Sequence, residues 1–381
     1  MRHHRYNPDF KFVHDPIDFT RDTPKELLQY CLGAMLYMPA NKDFLQAIIS
    51  RKYPGLTAMT MCFEDACREE DVAGAELNAV NMLSAIKKAK EEGVVTDDDL
   101  PLIFFRVRNP VQFKSFTKKL DPSLMSVFSG FNFPKFNTST GAVYFEHLSE
   151  INEKNNANLY GMPILEGREI ALIETRHDEL IAVKKLIDQY KQYVLNVRVG
   201  ATDFSSTFGT RRGIDYTIYD ILTVRACLSG ILNTFSRDND YVISGPVWEY
   251  FHISKEDKFK DIDIASDKIQ HSLFPRETII NQAVDGLLRE VILDKANGFV
   301  GKTVIHPTHL RYVNTMQAVT REKYEDAMQI LNTSDGVVKS AQANKMNEIR
   351  PHTNWAVKVV GNAKAYGVIE DETYYTQLFS E

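Results

Sequence analysis

The sequence lacks the features of several large protein classes. Its 381 residues include only four cysteines, which form no CxxC pair and no zinc-ligand spacing with histidine. We therefore expect no disulfide scaffold and a reducing, cytoplasmic setting. No stretch approaches about 18 uninterrupted apolar residues, and the charged N-terminus has no apolar signal-peptide core. The sequence thus predicts no membrane association.

A strong net charge is also missing. The formal net charge of -6 gives no overall attraction to nucleic acid, so any anion-binding site must be local. The chain has no internal repeat, no low-complexity tract and no GxSxG motif of serine hydrolases. Apolar residues make up 44% and charged residues 25%, which is typical of globular proteins. A chain of this length forms one large α/β barrel with extensions, or two ordinary domains.

Short apolar runs rich in β-forming residues alternate with segments of helical period. Ala79, Met82, Leu83 and Ile86 recur at helical spacing, as do apolar residues within 180–187 and 280–291. Strands that alternate with helices pair in parallel through right-handed crossovers, and eight of them predict a (β/α)8 TIM barrel. A doubly wound open sheet would give the same local pattern. The eight predicted strands are Leu32–Met38, Thr57–Phe63, Pro101–Val107, Val127–Phe133, Leu159–Leu165, Val194–Val199, Tyr241–Ser244 and Thr303–Ile305.

Two extensions flank the predicted barrel of residues 26–315. Residues 1–25 are expected to form an arm on the outside of the barrel. Residues 316–381 show no further strand pattern and predict a helical extension, with helices at Lys323–Leu331 and Trp355–Tyr366.

Nearly every predicted strand ends in polar or charged residues. In a parallel barrel the carboxyl ends of the strands converge on one face, and that face carries catalysis. The sequence therefore predicts a charged mouth at this end of the barrel. In strand order, its candidate residues are Lys42, then Glu64 and Asp65, Arg106 and Arg108, Lys135, Glu166, Asp203, and finally His306.

Glu166 and Asp203 end neighbouring predicted strands, and adjacent strands lie about 4.8 Å apart. Two carboxylates at that spacing could share a Mg2+, which prefers oxygen ligands and leaves its other positions for water and substrate. The alternative is that each is a solvated loop carboxylate or a helix cap. Glu174 is a second candidate ligand, but Leu159–Leu165 makes the better strand and Glu174 begins a helical pattern.

The stretch 296–303 loosely matches a phosphate-binding loop that ends in Lys302 and Thr303. Such a loop follows a strand and precedes a helix. Here a predicted helix, Thr278–Lys295, precedes it and a strand follows, so we interpret the stretch as a helix stop at Gly298 and a tight turn. His306 could line the mouth or cap the barrel rim by hydrogen bonding.

Taken in order, the strand ends resemble the citrate lyase β-subunit and HpcH/HpaI aldolase-like family, which includes malyl-coenzyme A lyases. More closely, the chain resembles a divergent branch of predicted carbon–carbon bond lyases associated with tellurium-resistance-type gene clusters. The matches span roughly residues 32–310. They are 36–39 (LYMP), 63–66 (FEDA), 106–107 (RV), 130–135 (GFNFPK), 163–166 (PILE), 200–203 (GATD) and 298–307 (GFVGKTVIHP).

This resemblance implies a TIM barrel, a Mg2+ held by Glu166 and Asp203, and Arg106 gripping a substrate oxygen or carboxylate. It also implies a homo-oligomer, a trimer or a multiple of one. Two departures from the family pattern bear on the substrate: Ala40-Asn41-Lys42 replaces the usual Gly-Asp-Arg, and a basic pair, Arg211-Arg212, follows the sixth strand. They leave it open whether the substrate is a coenzyme A thioester.

The leading hypothesis is a Mg2+-dependent lyase or aldolase that acts on a small anionic β-hydroxy carbonyl compound, or on its acyl thioester, through an enolate. Its glutamate and aspartate at positions 64 and 65 would act with Arg106 in catalysis. Lys42, Arg108, Lys135, Arg211, Arg212 and His306 are expected to bind substrate, with Arg211 and Arg212 holding a second anionic group. The alternative is that Arg211 and Arg212 pair with surface carboxylates or with a neighbouring subunit. Thioester hydrolysis, a non-catalytic anion-binding barrel and, least favoured, a nucleotide hydrolase are the alternatives.

Overall fold

A parallel β-sheet forms the centre of the molecule in the computed structural model, which describes residues 1–251 and 280–379. The sheet has seven strands in the order β6-β5-β4-β3-β2-β1-β7, and every neighbouring pair is parallel. The strands are β1 (Ala34–Pro39), β2 (Ala58–Cys62), β3 (Leu102–Arg106), β4 (Gly130–Phe133), β5 (Tyr160–Leu165), β6 (Arg198–Val199) and β7 (Lys302–Val304). These correspond to seven of the eight predicted strands.

The predicted strand Tyr241–Ser244 does not form a regular ladder. Its segment instead makes isolated parallel bridges to both edges of the sheet, Val197 with Ile243 and Gly245 with Lys302. The N–H of Val300 donates to the carbonyl of Ile243 at 2.8 Å. This segment therefore lies between β6 and β7, and the sheet curls so that its two edges approach each other.

Helices follow most of the strands and cover the outer face of the sheet. β2, β3, β4 and β5 are buried along their whole length, as expected of parallel strands enclosed on both faces. The predicted helical stripe of Ala79, Met82, Leu83 and Ile86 is buried within its helix. The helices are α1 (Lys25–Leu28), α2 (Leu45–Ile49), α3 (Val72–Glu91), α4 (Pro110–Thr117), α5 (Thr138–Asn155), α6 (Arg168–Ala171), α7 (Ile173–Gln189), α8 (Ala201–Thr207), α9 (Leu222–Phe235), α10 (Gln282–Ala296), α11 (His309–Gln317), α12 (Arg321–Asn332), α13 (Ile349–Tyr366) and α14 (Tyr374–Phe379).

The N-terminal arm packs into the molecule instead of lying outside it. Met1 and Phe19 are buried in one apolar cluster with Met35 and Phe104, which come from inside the curled sheet. His3 is also buried, and its Nε2 lies 3.0 Å from the carbonyl oxygen of Cys31. The arm thus seals the end of the sheet at which the strands begin, which leaves the opposite end open for a site.

The C-terminal region contains short strands as well as the predicted helices. β8 (Val319–Thr320) pairs in parallel with β11 (Val368–Ile369), and β9 (Val337–Lys339) pairs in antiparallel fashion with β10 (Met346–Glu348). The expectation of a purely helical tail was wrong because strands of two or three residues carry no readable periodicity. The predicted helices correspond to α12 and α13.

The cysteines and the helices can be set against what the composition predicted. All four cysteines are free and buried, as expected of a chain without a disulfide scaffold. No helix within 1–251 or 280–379 is long and apolar enough to cross a membrane.

Candidate metal centre and active site

A cavity of about 230 Å³ opens at the carboxyl ends of the strands. This is the end of the sheet that the N-terminal arm leaves open. The cavity is smaller than the roughly 300–1,000 Å³ of pockets for drug-sized ligands, so the enclosed part of any substrate is small. Its lining residues are Tyr37, Asp65, Arg106, Ile164, Glu166, Arg198, Val199, Gly200, Thr202, Asp203, Val247, Thr303 and Ile305.

Arg106, the last residue of β3, contacts three carboxylates at the cavity. Its guanidinium lies 2.9 Å from Glu64, 3.3 Å from Asp65 and 2.9 Å from Glu166. The register of the sheet explains the convergence, because Cys62 at the end of β2 pairs with Arg106 and places Glu64 and Asp65 just beyond it. Arg106 is buried, but Asp65 is 61% exposed and is the partner that an entering ligand most easily displaces.

Glu166 is held in a fixed orientation directly after β5. Its Oε1 accepts hydrogen bonds from the Arg106 guanidinium and from the backbone N–H of Lys135, both at 2.9 Å. Lys135 adopts a left-handed conformation with φ of 45°, which turns that N–H towards the carboxylate. The Lys135 ammonium pairs with Glu64. These contacts occupy one oxygen of Glu166 and leave Oε2 for another partner.

Asp203 supplies the second carboxylate from the first turn of α8. Gly200, which precedes this helix, allows the close approach, because a Cβ at this position would lie 2.0 Å from Oε2 of Glu166. Any larger residue would therefore push Glu166 away from Asp203. The glycine of the 200–203 motif is explained by this packing.

The charges of this group do not balance. We define the mouth cluster as Glu64, Asp65, Arg106, Lys135, Glu166 and Asp203. It holds four carboxylates against two cations, so two negative charges are uncompensated when all groups are ionised.

The pKa values of the mouth cluster reflect this excess of negative charge. Burial raises the pKa of Glu166 to about 7, helped by the charge of Asp203 and opposed by Arg106. Burial also raises the pKa of Asp203 and of Glu64. For Asp65 burial acts in the same direction, but the hydrogen bond with Glu64 and the charge of Arg106 outweigh it and lower its pKa. Binding of a cation would relieve the repulsion.

The carboxylate oxygens at this cavity are suitable ligands for Mg2+. Glu166 and Asp203 present hard carboxylate oxygens to one cavity, and Glu166 Oε2 is directed towards the Gly200–Asp203 turn. In the part of the chain that the structure describes, no group of three or more His, Cys, Asp or Glu side chains forms a complete cation cage. A two-carboxylate site would leave the remaining positions to water and substrate, as Mg2+ commonly does.

Glu174, the alternative ligand, lies elsewhere. It is exposed in the first turn of α7 and does not line the cavity.

All six predicted substrate-binding residues lie outside the cavity lining: Lys42, Arg108, Lys135, Arg211, Arg212 and His306. Lys42 and Arg211 are exposed at the surface. Arg108 donates to the carbonyl oxygens of Phe63 and Cys67 at 3.3 and 3.2 Å, which ties down the loop after β2. β3 ends at Arg106, so the strand alternation that placed both arginines at the mouth does not extend to Arg108.

His306 lies at the rim. Its ring stacks on Phe251, with ring centroids 4.4 Å apart, and its Nδ1 lies 2.8 Å from the hydroxyl oxygen of Thr308. The structure thus gives it the rim-capping contacts that were the alternative to lining the mouth.

Arg212 belongs to a second, enclosed group of charges between α10 and β7. Its guanidinium pairs with Glu290, which also lies 2.8 Å from the Lys302 ammonium; Lys302 lies 2.8 Å from Asp294. We call Arg212, Glu290, Asp294 and Lys302 the buried cluster. Its two cations face two carboxylates, and Arg212 also pairs with the partly exposed Glu249 at 3.4 Å, so Arg212 is already neutralised within the protein. This is why it does not face the cavity as a second anion site.

Lys302, the lysine of the loose phosphate-loop pattern, is fully buried in this cluster with 0% of its side chain exposed. As predicted, a helix precedes the loop and a strand follows it: α10 covers residues 282–295 of the predicted Thr278–Lys295 helix, Ile280 and Asn281 precede it, and residues 278 and 279 lie outside the described residues. Gly298 has the left-handed φ of 91° expected at a helix stop.

The sequence interpretation missed Arg198, which lines the cavity from β6. Its guanidinium donates to the hydroxyl oxygens of Ser244 and Thr303 at 3.3 and 2.6 Å. One signal was present: Asn196 and Arg198 are polar residues at alternate positions of an otherwise apolar run, so they point to the same face. Both are buried.

The family assignment follows from comparison with known proteins. A family model described as carbon–carbon bond lyases of the TIM-barrel fold matches residues 26–368. The chain belongs to this family. The resemblance inferred from the strand ends is therefore confirmed at the level of the family. No curated protein matches the sequence at a significant level.

The chain is also similar to several solved structures. CitE from Mycobacterium tuberculosis, in complex with magnesium, acetoacetate and coenzyme A, is 15% identical, with 88% of this chain and 99% of that chain covered and a TM-score of 0.51. RipC from Yersinia pestis is 13% identical over 76% of this chain and 95% of that chain, with a TM-score of 0.47. A citrate lyase β-subunit from M. tuberculosis, complexed with oxaloacetate and magnesium, is 15% identical over 76% and 98%, with a TM-score of 0.46. The first of these supports a common fold and nothing finer.

Proposed function

We propose that this family member is a Mg2+-dependent lyase or aldolase that cleaves or forms a carbon–carbon bond beside a carbonyl group. The observation that carries the proposal is the convergence of Glu166 and Asp203 on one cavity, within a cluster that has two uncompensated negative charges. We also propose that the curled sheet, with the segment around residues 241–245, is the (β/α)8 barrel of the family.

The reaction requires stabilisation of negative charge on oxygen. When the bond between the α and β carbons of a β-hydroxy carbonyl compound breaks, the hydroxyl passes its proton to a carboxylate of the mouth cluster and becomes a carbonyl. The bonding electrons pass to the other fragment as an enolate. A Mg2+ held by Glu166 and Asp203 would supply Lewis-acid stabilisation of the developing charge.

Beside the metal site, Arg106 would bind substrate oxygens directly. Its Nε is buried and has no hydrogen-bond partner among the described residues, and its contact with the exposed Asp65 is the longest of its three ion pairs. A substrate oxygen could replace Asp65 while Glu64 and Glu166 keep the guanidinium in place. We assign Glu64 as a positioning residue that orients Arg106 and Lys135, and Asp65 as the carboxylate that holds Arg106 until a substrate oxygen replaces it.

The test is Mg2+ titration calorimetry on Glu166→Gln and Asp203→Asn. Each variant should lose Mg2+ binding, because each removes one of two charged ligands, while keeping its cooperative unfolding transition. Glu174→Gln is the matched control, since that carboxylate is exposed and outside the cavity, and its Mg2+ affinity should equal that of the wild type. Unchanged affinity in either site variant would remove that residue from the metal site, and loss of affinity in Glu174→Gln would replace Glu166 by Glu174.

Substrate turnover separates the lyase from the other hypotheses. A lyase releases two carbonyl-containing fragments from a hydroxy acid or its thioester in a Mg2+-dependent way. A hydrolase releases the free thiol and an intact acid, and a non-catalytic binder releases neither. We further propose a cytoplasmic homo-oligomer, and the mass of the protein in solution by light scattering tests its oligomeric state.

A further inference from the structure

Arg198 is a cation of the cavity that makes no direct ion pair within the described residues. Only 1% of the residue is exposed. Over residues 1–251 and 280–379, no carboxylate forms an ion pair with it within 4.0 Å. Arg106 and Arg212 each contact at least two carboxylates. Burying an unpaired charge costs several kcal/mol, so an uncompensated guanidinium at a cavity indicates a site for an anion.

The hydrogen bonds of Arg198 leave it able to accept such a ligand. Its two terminal nitrogens donate to hydroxyl oxygens, and its Nε is buried without a partner in the described part of the chain. Ser244 donates its own proton to Asn196 at 2.9 Å. Thr303 accepts from Arg198 and lines the cavity, so its hydroxyl proton can be donated to a ligand beside the guanidinium.

Arg198 lies deeper in the barrel than the metal ligands. The sheet register pairs it with Ile164, which precedes Glu166 by two residues on the same face of the neighbouring strand. At about 3.3 Å per residue, this separation is about 7 Å along the strand. The ring of Tyr37 lies 5.7 Å from the guanidinium carbon on another side. The cavity therefore has an acidic outer part and a basic inner part.

We propose that Arg198 and the Thr303 hydroxyl bind a carboxylate at the inner end of the substrate, which makes the substrate class small dicarboxylic acids. The inference rests on the proposed function for the outer end of the substrate. It assigns the second anionic group to Arg198, in place of the Arg211–Arg212 pair that the sequence suggested.

Binding of succinate and of butyrate to the full chain, by calorimetry with and without saturating Mg2+, tests the proposal. The two acids have the same number of carbons and differ by one carboxylate. The wild type should bind succinate at least about tenfold more tightly than butyrate, which corresponds to one charged hydrogen-bonded contact. Arg198→Gln should bind both acids equally, and Thr303→Val should lose part of the preference. Arg211→Gln, at an exposed arginine, should keep it.

The outcomes of this experiment distinguish failure of the inner carboxylate site from failure of the proposed metal site. A succinate preference that disappears in Arg198→Gln supports the inner carboxylate site even if Mg2+ does not bind, in which case only the proposed function fails. If Arg198→Gln unfolds more easily but keeps the preference, Arg198 only holds Ser244 and Thr303 together and the proposal is wrong. If Arg198→Gln does not fold, Thr303→Val decides, and an unchanged preference in that variant contradicts the proposal.

Discussion

The two charged clusters beside the sheet contain the same kinds of residues but differ in balance and access. In the buried cluster, Arg212 and Lys302 face Glu290 and Asp294, and the four side chains are at most 1% exposed. In the mouth cluster, four carboxylates share Arg106 and Lys135 beside an open cavity. A balanced, enclosed cluster fixes structure, whereas an unbalanced cluster at a cavity needs a ligand. The balance of the charges and their access to a cavity separate the two roles.

The buried cluster fastens α10 to β7. Glu290 and Asp294 lie four residues apart on one face of α10 and both contact Lys302. Glu290 also accepts from the backbone N–H of Ile218 at 2.7 Å, and Asp294 accepts from the Tyr219 hydroxyl at 2.6 Å. The helix, the strand and the segment around residue 218 are thus joined by one set of buried bonds. Loss of one partner leaves the remaining side chains charged but shielded from water, so their charges are not solvated.

The largest expected effect of a substitution is therefore in the buried cluster. Glu290→Gln should lower the free energy of unfolding by about 3–5 kcal/mol, because it removes the buried carboxylate shared by Arg212 and Lys302 and leaves Arg212 only its longer contact with Glu249. Mg2+ affinity should be unchanged. Urea unfolding followed by circular dichroism measures the first, and calorimetry the second. The control is Glu322→Gln, whose exposed pair with Lys345 should contribute less than about 1 kcal/mol. Equal effects of the two substitutions would contradict the comparison.

An intermediate effect is expected in the pH dependence of Mg2+ binding at the mouth cluster. Burial raises the pKa of Glu166 to about 7, so below that pH a proton competes with the metal. Mg2+ affinity should fall about fivefold from pH 7 to pH 6, approach a tenfold fall per pH unit at lower pH and level off above pH 8, because the metal displaces the proton of Glu166. Titration calorimetry in buffers of different ionisation enthalpy counts the protons released. Affinity that does not change with pH would contradict the assignment of Glu166 as a ligand with a raised pKa.

The same group affects the stability of the metal-free protein in the opposite direction. The pKa of Glu166 is higher in the folded state than in the unfolded chain, so between about pH 4.5 and 7 the folded state binds more protons. Its contribution to stability is therefore present at low pH and is lost as the pH rises to 7. Glu166→Gln should remove this part of the pH dependence. Thermal unfolding from pH 5 to 8 checks it, and identical profiles for the two proteins would rule it out.

The smallest effect is expected when Asp203 is neutralised in the absence of metal. Asp203→Asn removes one charge from an overly negative cluster, so the free energy of unfolding should stay the same or rise by up to about 1 kcal/mol. The equivalent substitution in the buried cluster, Asp294→Asn, should destabilise the protein because Lys302 loses a direct partner. If both substitutions destabilise to the same extent, the two clusters do not differ in role.

The sequence predicted the mouth cluster better than the buried cluster for a physical reason. Strand ends can be recognised from apolar runs that stop at charged residues, and the parallel sheet then brings Glu166 and Arg106 together whatever lies between them. The buried cluster depends on contacts over longer distances, since Arg212 and Glu290 are separated by 78 residues. No local pattern indicates that pairing, so Arg212 appeared available to a substrate.

Other features required the packing of the whole chain. Met1 and Phe19 gave no sign that the arm enters the apolar cluster at the closed end of the sheet. Asn196 and Arg198 mark a polar face in the predicted strand Val194–Val199, but the contacts of Arg198 with Ser244 and Thr303 depend on how distant segments pack. The isolated bridges of Ile243 and Gly245 likewise depend on how closely the two edges of the sheet approach each other.

The most direct test of the central claim is the position of a divalent cation in crystals of the protein soaked with Mn2+, located by anomalous scattering. Mn2+ shares the preference of Mg2+ for oxygen ligands and can be distinguished from water. We expect a single strong peak at direct ligand distance from Glu166 Oε2 and from an Asp203 oxygen, and no peak there in Asp203→Asn. A strong peak elsewhere, with the site between Glu166 and Asp203 lacking one at saturating Mn2+, would contradict the metal-dependent mechanism.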